Sequence, residues 1–155
     1  MATRAVQFLK RKKIRFEVVR YLHDEKGAEF AALATGFPLE RTVKTLVADL
    51  EDRRYCLALI AGNRRLDFKL LAALFRVKRT ILADKVTAER LTGYLVGGIS
   101  PFGTKQTLPT VLDEQISRFD TVMINGGQRG VMLKIAPRDI ALALNSSIAA
   151  IGRDG

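Results

Sequence analysis

Apolar positions in this chain recur first at helical spacing and then, for most of its length, at strand spacing. In residues 3–13, Ala5, Val6, Phe8 and Leu9 form one apolar side, and four consecutive cations at 10–13 crowd the end, where they suit the helix dipole. That pattern predicts an amphipathic helix. Residues 16–21 are β-branched and aromatic and predict a strand. A short helix over 28–34 is expected to stop near Gly36, with Pro38 confirming the break. Residues 43–50 and 55–61 are two further strands, joined by the charged turn 51–54, and make the firmest hairpin.

Downstream, Asp67 is positioned to cap a helix bearing Leu70, Leu71, Leu74 and Phe75. Residues 80–83 predict a strand, and Thr87 is expected to cap a helix ending at Gly93. Strands follow near 109–112 and 121–124. Residues 125–130, Asn-Gly-Gly-Gln-Arg-Gly, predict a tight turn with positive φ before a strand at 131–135. Pro137 opens a last helix at an allowed first-turn position. With no linker, repeat or low-complexity tract, the chain predicts one domain over 1–155. Its expected class is α+β, with a mixed, barrel-like sheet flanked by helices.

Two features break this pattern. The first is Tyr94-Leu-Val-Gly-Gly-Ile-Ser-Pro-Phe-Gly103, where Gly97, Gly98 and Gly103 flank Ser100-Pro101. Glycine allows positive φ and close approach to a ligand, while the proline fixes one φ and pushes Ser100 out of helical space. A shaped loop with backbone N–H groups left for a ligand is expected, although such clusters also mark ordinary surface loops. The second is Lys44, a cation inside an otherwise apolar strand. It is either an edge-strand lysine that blocks aggregation or a functional residue, and pattern alone leaves both open.

Composition narrows the function. Twenty-six Lys and Arg against 16 Asp and Glu give a net charge of +10, which favours a polyanion such as a nucleic acid. No apolar run approaches the ~18 residues of a membrane span, and the order of charges at the amino terminus is wrong for a secretory signal. The single Cys56 excludes an internal disulfide and suits a reducing, cytoplasmic setting; its apolar neighbours predict a buried, unreactive thiol. One cysteine and one histidine, His23, make poor zinc ligands, so neither metal nor other cofactor is expected. Lys44-Thr45 matches the end of a phosphate-binding P-loop, but Val43 stands where glycine is required. Neither a G-x-G-x-x-G fingerprint nor a G-x-S-x-G elbow occurs.

Five fragments in order are informative together: Tyr21-Leu-His-Asp24, Val43-Lys-Thr-Leu46, Thr92-Gly-Tyr-Leu-Val-Gly-Gly-Ile-Ser-Pro-Phe-Gly103, Leu108-Pro109 and Gly126-Gly-Gln-Arg-Gly130. In this order and spacing the chain resembles, essentially end to end, the YbaK/EbsC-type aminoacyl-tRNA deacylases, relatives of the editing domain of bacterial prolyl-tRNA synthetases. The resemblance implies a free-standing enzyme that hydrolyses the ester joining a wrong amino acid to tRNA, with Cys-tRNA(Pro) as the expected substrate. Prolyl-tRNA synthetase is a possible partner. A hydrophobic pocket separates near-isosteres by only ~1–3 kcal/mol, which is why a second hydrolytic sieve is needed.

The resemblance also assigns roles. The family's essential lysine falls on Lys44, expected to hold the ester or the tRNA terminus by charge. Tyr21 and Phe30 take pocket positions. Gly97, Gly98 and Ser100, with Asn125, Gly126 and Gly127, are expected to bind substrate, the glycine backbone supplying donors to the developing oxyanion. For a cysteinyl ester the substrate's own thiol is the expected nucleophile. Lys105 and Arg129, beside the two glycine loops, are expected to meet tRNA phosphates. Two positions depart from the close relatives: Met132 replaces an acidic residue and Asn125 a serine. A more apolar pocket, suited to alanine or 2-aminobutyrate, or a binder of charged tRNA without catalysis, are the alternatives.

Overall fold

The computed structural model describes residues 2–22 and 27–155; His23 and Asp24, quoted above, lie outside the described residues. The chain opens with α1 (Arg4–Arg11), capped by Thr3, whose hydroxyl accepts from the Val6 N–H and itself donates to the Gly126 carbonyl. β1 (Glu17–Arg20) and α2 (Ala28–Thr35) follow, the latter ended by Gly36 at φ 73°. β2 (Thr42–Asp49) and β3 (Tyr55–Ala61) form the expected hairpin; Glu51, Asp52 and Arg53 all turn through positive φ. Next come β4 (Arg64–Leu66), α3 (Phe68–Phe75), β5 (Ile81–Leu82) and α4 (Lys85–Thr92). After the glycine loop run β6 (Thr110–Asp113), β7 (Val122–Gln128) and β8 (Val131–Ile135). The chain closes with α5 (Pro137–Leu144), β9 (Ser147–Ala149) and β10 (Gly152–Asp154).

Among the described residues the main sheet runs β1-β8-β7-β2-β3-β6-β9, with β5 added beside the far end of β2 and a small β10-β4 pair set apart. The β2–β3, β7–β8 and β1–β8 pairs are antiparallel, whereas β2–β7, β3–β6 and β6–β9 are parallel. This is the mixed α+β sheet that the alternation of hairpins and helices predicts.

Both faces of the central hairpin are covered. Val43, Leu59 and Ala61 pack with Ala5, Val6 and Leu9 of α1, with Phe102, and with Ile140 of α5. On the opposite face Ala48, Ala58 and Ile60 pack with Leu71 of α3 and Ile151. Double-sided burial fixes the register of β2, because a one-residue slip would turn every side chain to the other face. Lys44 would then point into the α1 side of the core. β2 is an inner strand of the sheet, so Lys44 is not on an edge strand, although β7 pairs with β2 only at Thr42 and Val43.

Three other expectations are corrected. Asp84, not Thr87, caps α4, and the Thr87 N–H is what its carboxylate accepts, at 2.7 Å. Residues 125–130 are not one tight turn: β7 continues to Gln128, the hairpin turns at Arg129-Gly130, and Gly126-Gly127 are taken up as an irregularity between paired residues 125 and 128. The strands β4, β9 and β10 were not foreseen; each has three residues, too few to show a period, and each exists through partners distant in sequence.

The small sheet is held by Asp113, which is 1% exposed. Its Oδ1 accepts from the N–H groups of Ile151 (3.0 Å) and Gly152 (3.2 Å), and its Oδ2 lies 3.5 Å from Nε of Arg64. Asp113→Ala leaves two amides and the buried Nε of a partly buried Arg64 without their carboxylate, so a loss of about 3 kcal/mol is expected. In thermal unfolding this lowers Tm by roughly 6–12 °C; an unchanged Tm contradicts the anchoring role.

Candidate active site

Strand β2 changes neighbour along its length. It pairs with β7 only at Thr42 and Val43, and with β5 only at Ala48 and Asp49. The Thr42 carbonyl accepts from the Gly62 N–H and the Leu50 N–H donates to the Arg54 carbonyl, so even-numbered residues bond toward β3. Odd-numbered residues therefore turn their peptide groups the other way. Val43 meets β7, and the Val47 carbonyl accepts from the Ala83 N–H at 2.9 Å. Between them the N–H and C=O of Thr45 have no strand partner among the described residues. Its hydroxyl Oγ1 is also buried without a hydrogen bond. Unsatisfied buried polar groups are costly, typically about 1–3 kcal/mol each, so a ligand or water that reaches them is favoured.

That interruption opens into a cleft of about 420 Å³, walled by Tyr21, Lys44, Thr45, Lys85, Gly97, Asn125 and Met132 together with small apolar residues of α2 and α4. Met132 and Ala31 give the cleft an apolar floor backed by Met123, and Tyr21 packs against that cluster. A larger hollow of about 620 Å³ lies beside α1, but it holds neither Lys44 nor Thr45.

Lys44 is half-buried, and its Nζ donates to the Arg64 carbonyl at 2.6 Å. An ammonium has three donors, and among the described residues only this one is used. Burial pulls its pKa below the ordinary lysine value; Glu29 opposes that shift and Arg65 adds to it. Because Arg64 is held by Asp113, the clasp of the small sheet also sets where the amine sits.

The two glycine-bearing segments meet at this cleft. Asn125 Nδ2 donates to the Gly97 carbonyl at 3.3 Å, and its Oδ1 accepts from the Gly127 N–H at 2.7 Å. A Cβ on Gly98 would sit 2.9 Å from the Arg129 nitrogen, so only glycine permits this approach. The Gly98 N–H is spent on the Leu95 carbonyl at 2.8 Å, whereas the Gly97 N–H has no partner among the described residues.

The sequence-predicted residues are therefore not all gathered together. Tyr21, Lys44, Gly97, Asn125 and Met132 line one cleft. Phe30 stands behind Tyr21, ring centroids 6.1 Å apart. Gly98 and Gly127 line the adjoining hollow with Arg129. Gly126 is buried in β7, and Ser100 is fully buried, its hydroxyl accepting from the Phe102 N–H. Lys105 is exposed beside Gly93. Sequence reasoning missed Thr45 and Lys85. The available signal was Val43-x-Thr45-x-Val47, a hydroxyl on an otherwise apolar strand face.

Cys56 is buried in the α3-side core, and burial pushes its thiol up to about 12, which leaves it inert. Among the described residues no cluster of three His, Cys, Asp or Glu could hold a metal, and no helix is long and apolar enough to cross a membrane.

Residues 23–142 match the family model of the aminoacyl-tRNA editing domain, and the chain belongs to that family. EbsC of Enterococcus faecalis, described as a candidate Cys-tRNA(Pro)/Cys-tRNA(Cys) deacylase, is 30% identical over 96% of this chain and 92% of its own. The Ser/Thr-tRNA deacylase ProXp-y of Escherichia coli is 29% identical over 86% of this chain and 83% of its own. A crystal structure of a candidate trans-editing enzyme for prolyl-tRNA synthetase superposes with TM-score 0.89 at 26% identity, covering 97% of this chain and 95% of the other. The protein is accordingly a hydrolase acting on aminoacyl-tRNA esters.

If the Lys44 ammonium takes part, enzyme-dependent hydrolysis falls as pH rises through a midpoint below 10.5, because deprotonation removes the charge. The measurement is a pH–rate profile corrected for spontaneous ester hydrolysis. A corrected rate that instead rises through that midpoint assigns the neutral amine as a base.

Proposed function

We propose that this protein clears tRNA bearing a small uncharged amino acid, with cysteine on tRNA(Pro) as the leading substrate. One observation carries the reading: in a single cleft, among the described residues, Lys44 spends one donor and stands beside a Thr45 whose hydroxyl and peptide groups lack partners. The floor of Met132 and Ala31, backed by Met123, suits a short apolar side chain and has no charge to meet a long polar one. The names of EbsC and ProXp-y, both deacylases of small amino acids, support the same size class.

In this reading Lys44 positions the ester by charge, and the Gly97 N–H donates to the oxyanion as the carbonyl becomes tetrahedral. Thr45 holds the aminoacyl group through its backbone and hydroxyl. The cysteinyl thiol attacks its own ester carbon; the new C–S bond replaces the C–O bond, and the ribose hydroxyl departs with the thiol's proton. Water then opens the cyclic thioester. No protein nucleophile is required, in keeping with a Cys56 thiol pushed up to about 12. Met132 favours one further reading, removal of alanine or 2-aminobutyrate by attack of water.

The test is a deacylation panel of cysteinyl-, 2-aminobutyryl-, alanyl- and seryl-tRNA(Pro). Cysteine is expected to be cleared fastest and 2-aminobutyrate, its near-isostere without sulfur, far more slowly. Equal rates for those two dismiss substrate assistance. Lys44→Ala is expected to lose about 100-fold or more in rate with unchanged Tm, and Thr45→Val about 10-fold. A fully active Lys44→Ala places the chemistry elsewhere.

A further inference from the structure

Hollows on this surface share walls in sequence. Val96 lines both the Lys44 cleft and a hollow of about 440 Å³ that also includes Gly98, Gly127 and Arg129. Gly93, Tyr94, Gly127 and Gln128 pass from that hollow into one of about 300 Å³, which adds Thr3 and Arg4. Arg4 in turn borders the hollow of about 620 Å³ between α1, the 101–108 segment and the end of α5. There α1 presents Arg4, Gln7, Phe8, Arg11 and Lys12, one face of a helix at spacings of three and four. Arg129, Arg4, Arg11 and Lys12 line the three outer hollows, and among the described residues no Asp or Glu does.

We infer that this row of hollows seats the acceptor arm of the tRNA, its backbone running from the Lys44 cleft over Arg129 and Arg4 to the end of α1. The inference rests on the deacylase reading for the identity of the RNA. The ester carbonyl must lie in the cleft, so the strand carrying it leaves by whatever concave, cationic path adjoins the cleft. From Arg4 to Lys12 the helix rises about 12 Å, matching roughly three phosphates at ~3.4 Å of axis per strand. Two of the cations are pre-placed: Arg4 donates to the Gly103 carbonyl at 2.9 Å beside the Tyr94 ring, and the Lys12 ammonium lies 5.3 Å from the Phe8 ring centre. Holding them in advance lowers the entropy cost of gripping phosphates.

The decisive variant is Arg11→Glu/Lys12→Glu, both exposed and remote from Lys44's contacts. Lys78→Glu/Arg79→Glu, exposed after α3, makes the same change of charge away from these hollows. Binding of uncharged tRNA is measured across a salt series, alongside hydrolysis of mischarged full-length tRNA and of the corresponding aminoacyl-CCA trinucleotide. The α1 variant is expected to bind tRNA at least about tenfold more weakly, with the log–log salt slope reduced by about 2. KM for full-length substrate rises to match, while kcat and trinucleotide hydrolysis stay as in the wild type. Unchanged tRNA binding overturns the proposal and gives this face to an acidic protein partner. Equal losses in both double variants also overturn it, as does a loss that extends to the trinucleotide. Should the wild type cleave no aminoacyl ester, the deacylase reading fails while the salt series still decides the path of the RNA.

Discussion

A β-strand leaves peptide groups unpaired inside a sheet where its neighbour stops or bulges. β2 does this between β7, which leaves it after Val43, and β5, which joins at Ala48. Everything at the cleft depends on that interruption. It leaves the N–H and C=O of Thr45 without strand partners among the described residues and makes room for the glycine loop to come alongside. In a continuous sheet the same residues would be an unremarkable segment of core.

The interruption is kept open by contacts made elsewhere. β7 is diverted at Asn125, whose side chain is bonded both to Gly97 and to Gly127 and so ties the bulge to the glycine loop. Gly98 against Arg129 brings the same two segments to a separation that no larger residue allows. On the other side, the amine of Lys44 rests on a carbonyl of β4, and β4 is fastened to the chain's last strand through Asp113. A cation is thus presented to the cleft with one donor spent on its own support. Partial burial makes such a charge count for more than it would in water.

Here Met132 sits buried at the floor and Asn125 bridges the two glycine segments. Both are side-chain choices on a backbone set by the sheet, which is how one fold serves several amino acids.

Much of the fold is legible from residues alone. The central hairpin, α1, α3 with its Asp67 cap, β8 and the proline-started α5 follow from local periodicity, capping and turn chemistry. The anomaly of Lys44 is visible for the same reason: a charge in an apolar run needs an account. What local pattern could not decide is which peptide groups stay unpaired, since that depends on where strands from residues 81 and 122 meet β2. Nor could it distinguish Ser100, sealed in the core, from Gly97, which lines the cleft three residues earlier. The sequence by itself determined the longer elements, the excess of cations and the anomaly of a lysine in an apolar strand. Only tertiary structure decided that this lysine flanks a break in the sheet, because hydrogen-bond partners between strands are assigned by packing at long range and not by neighbours along the chain.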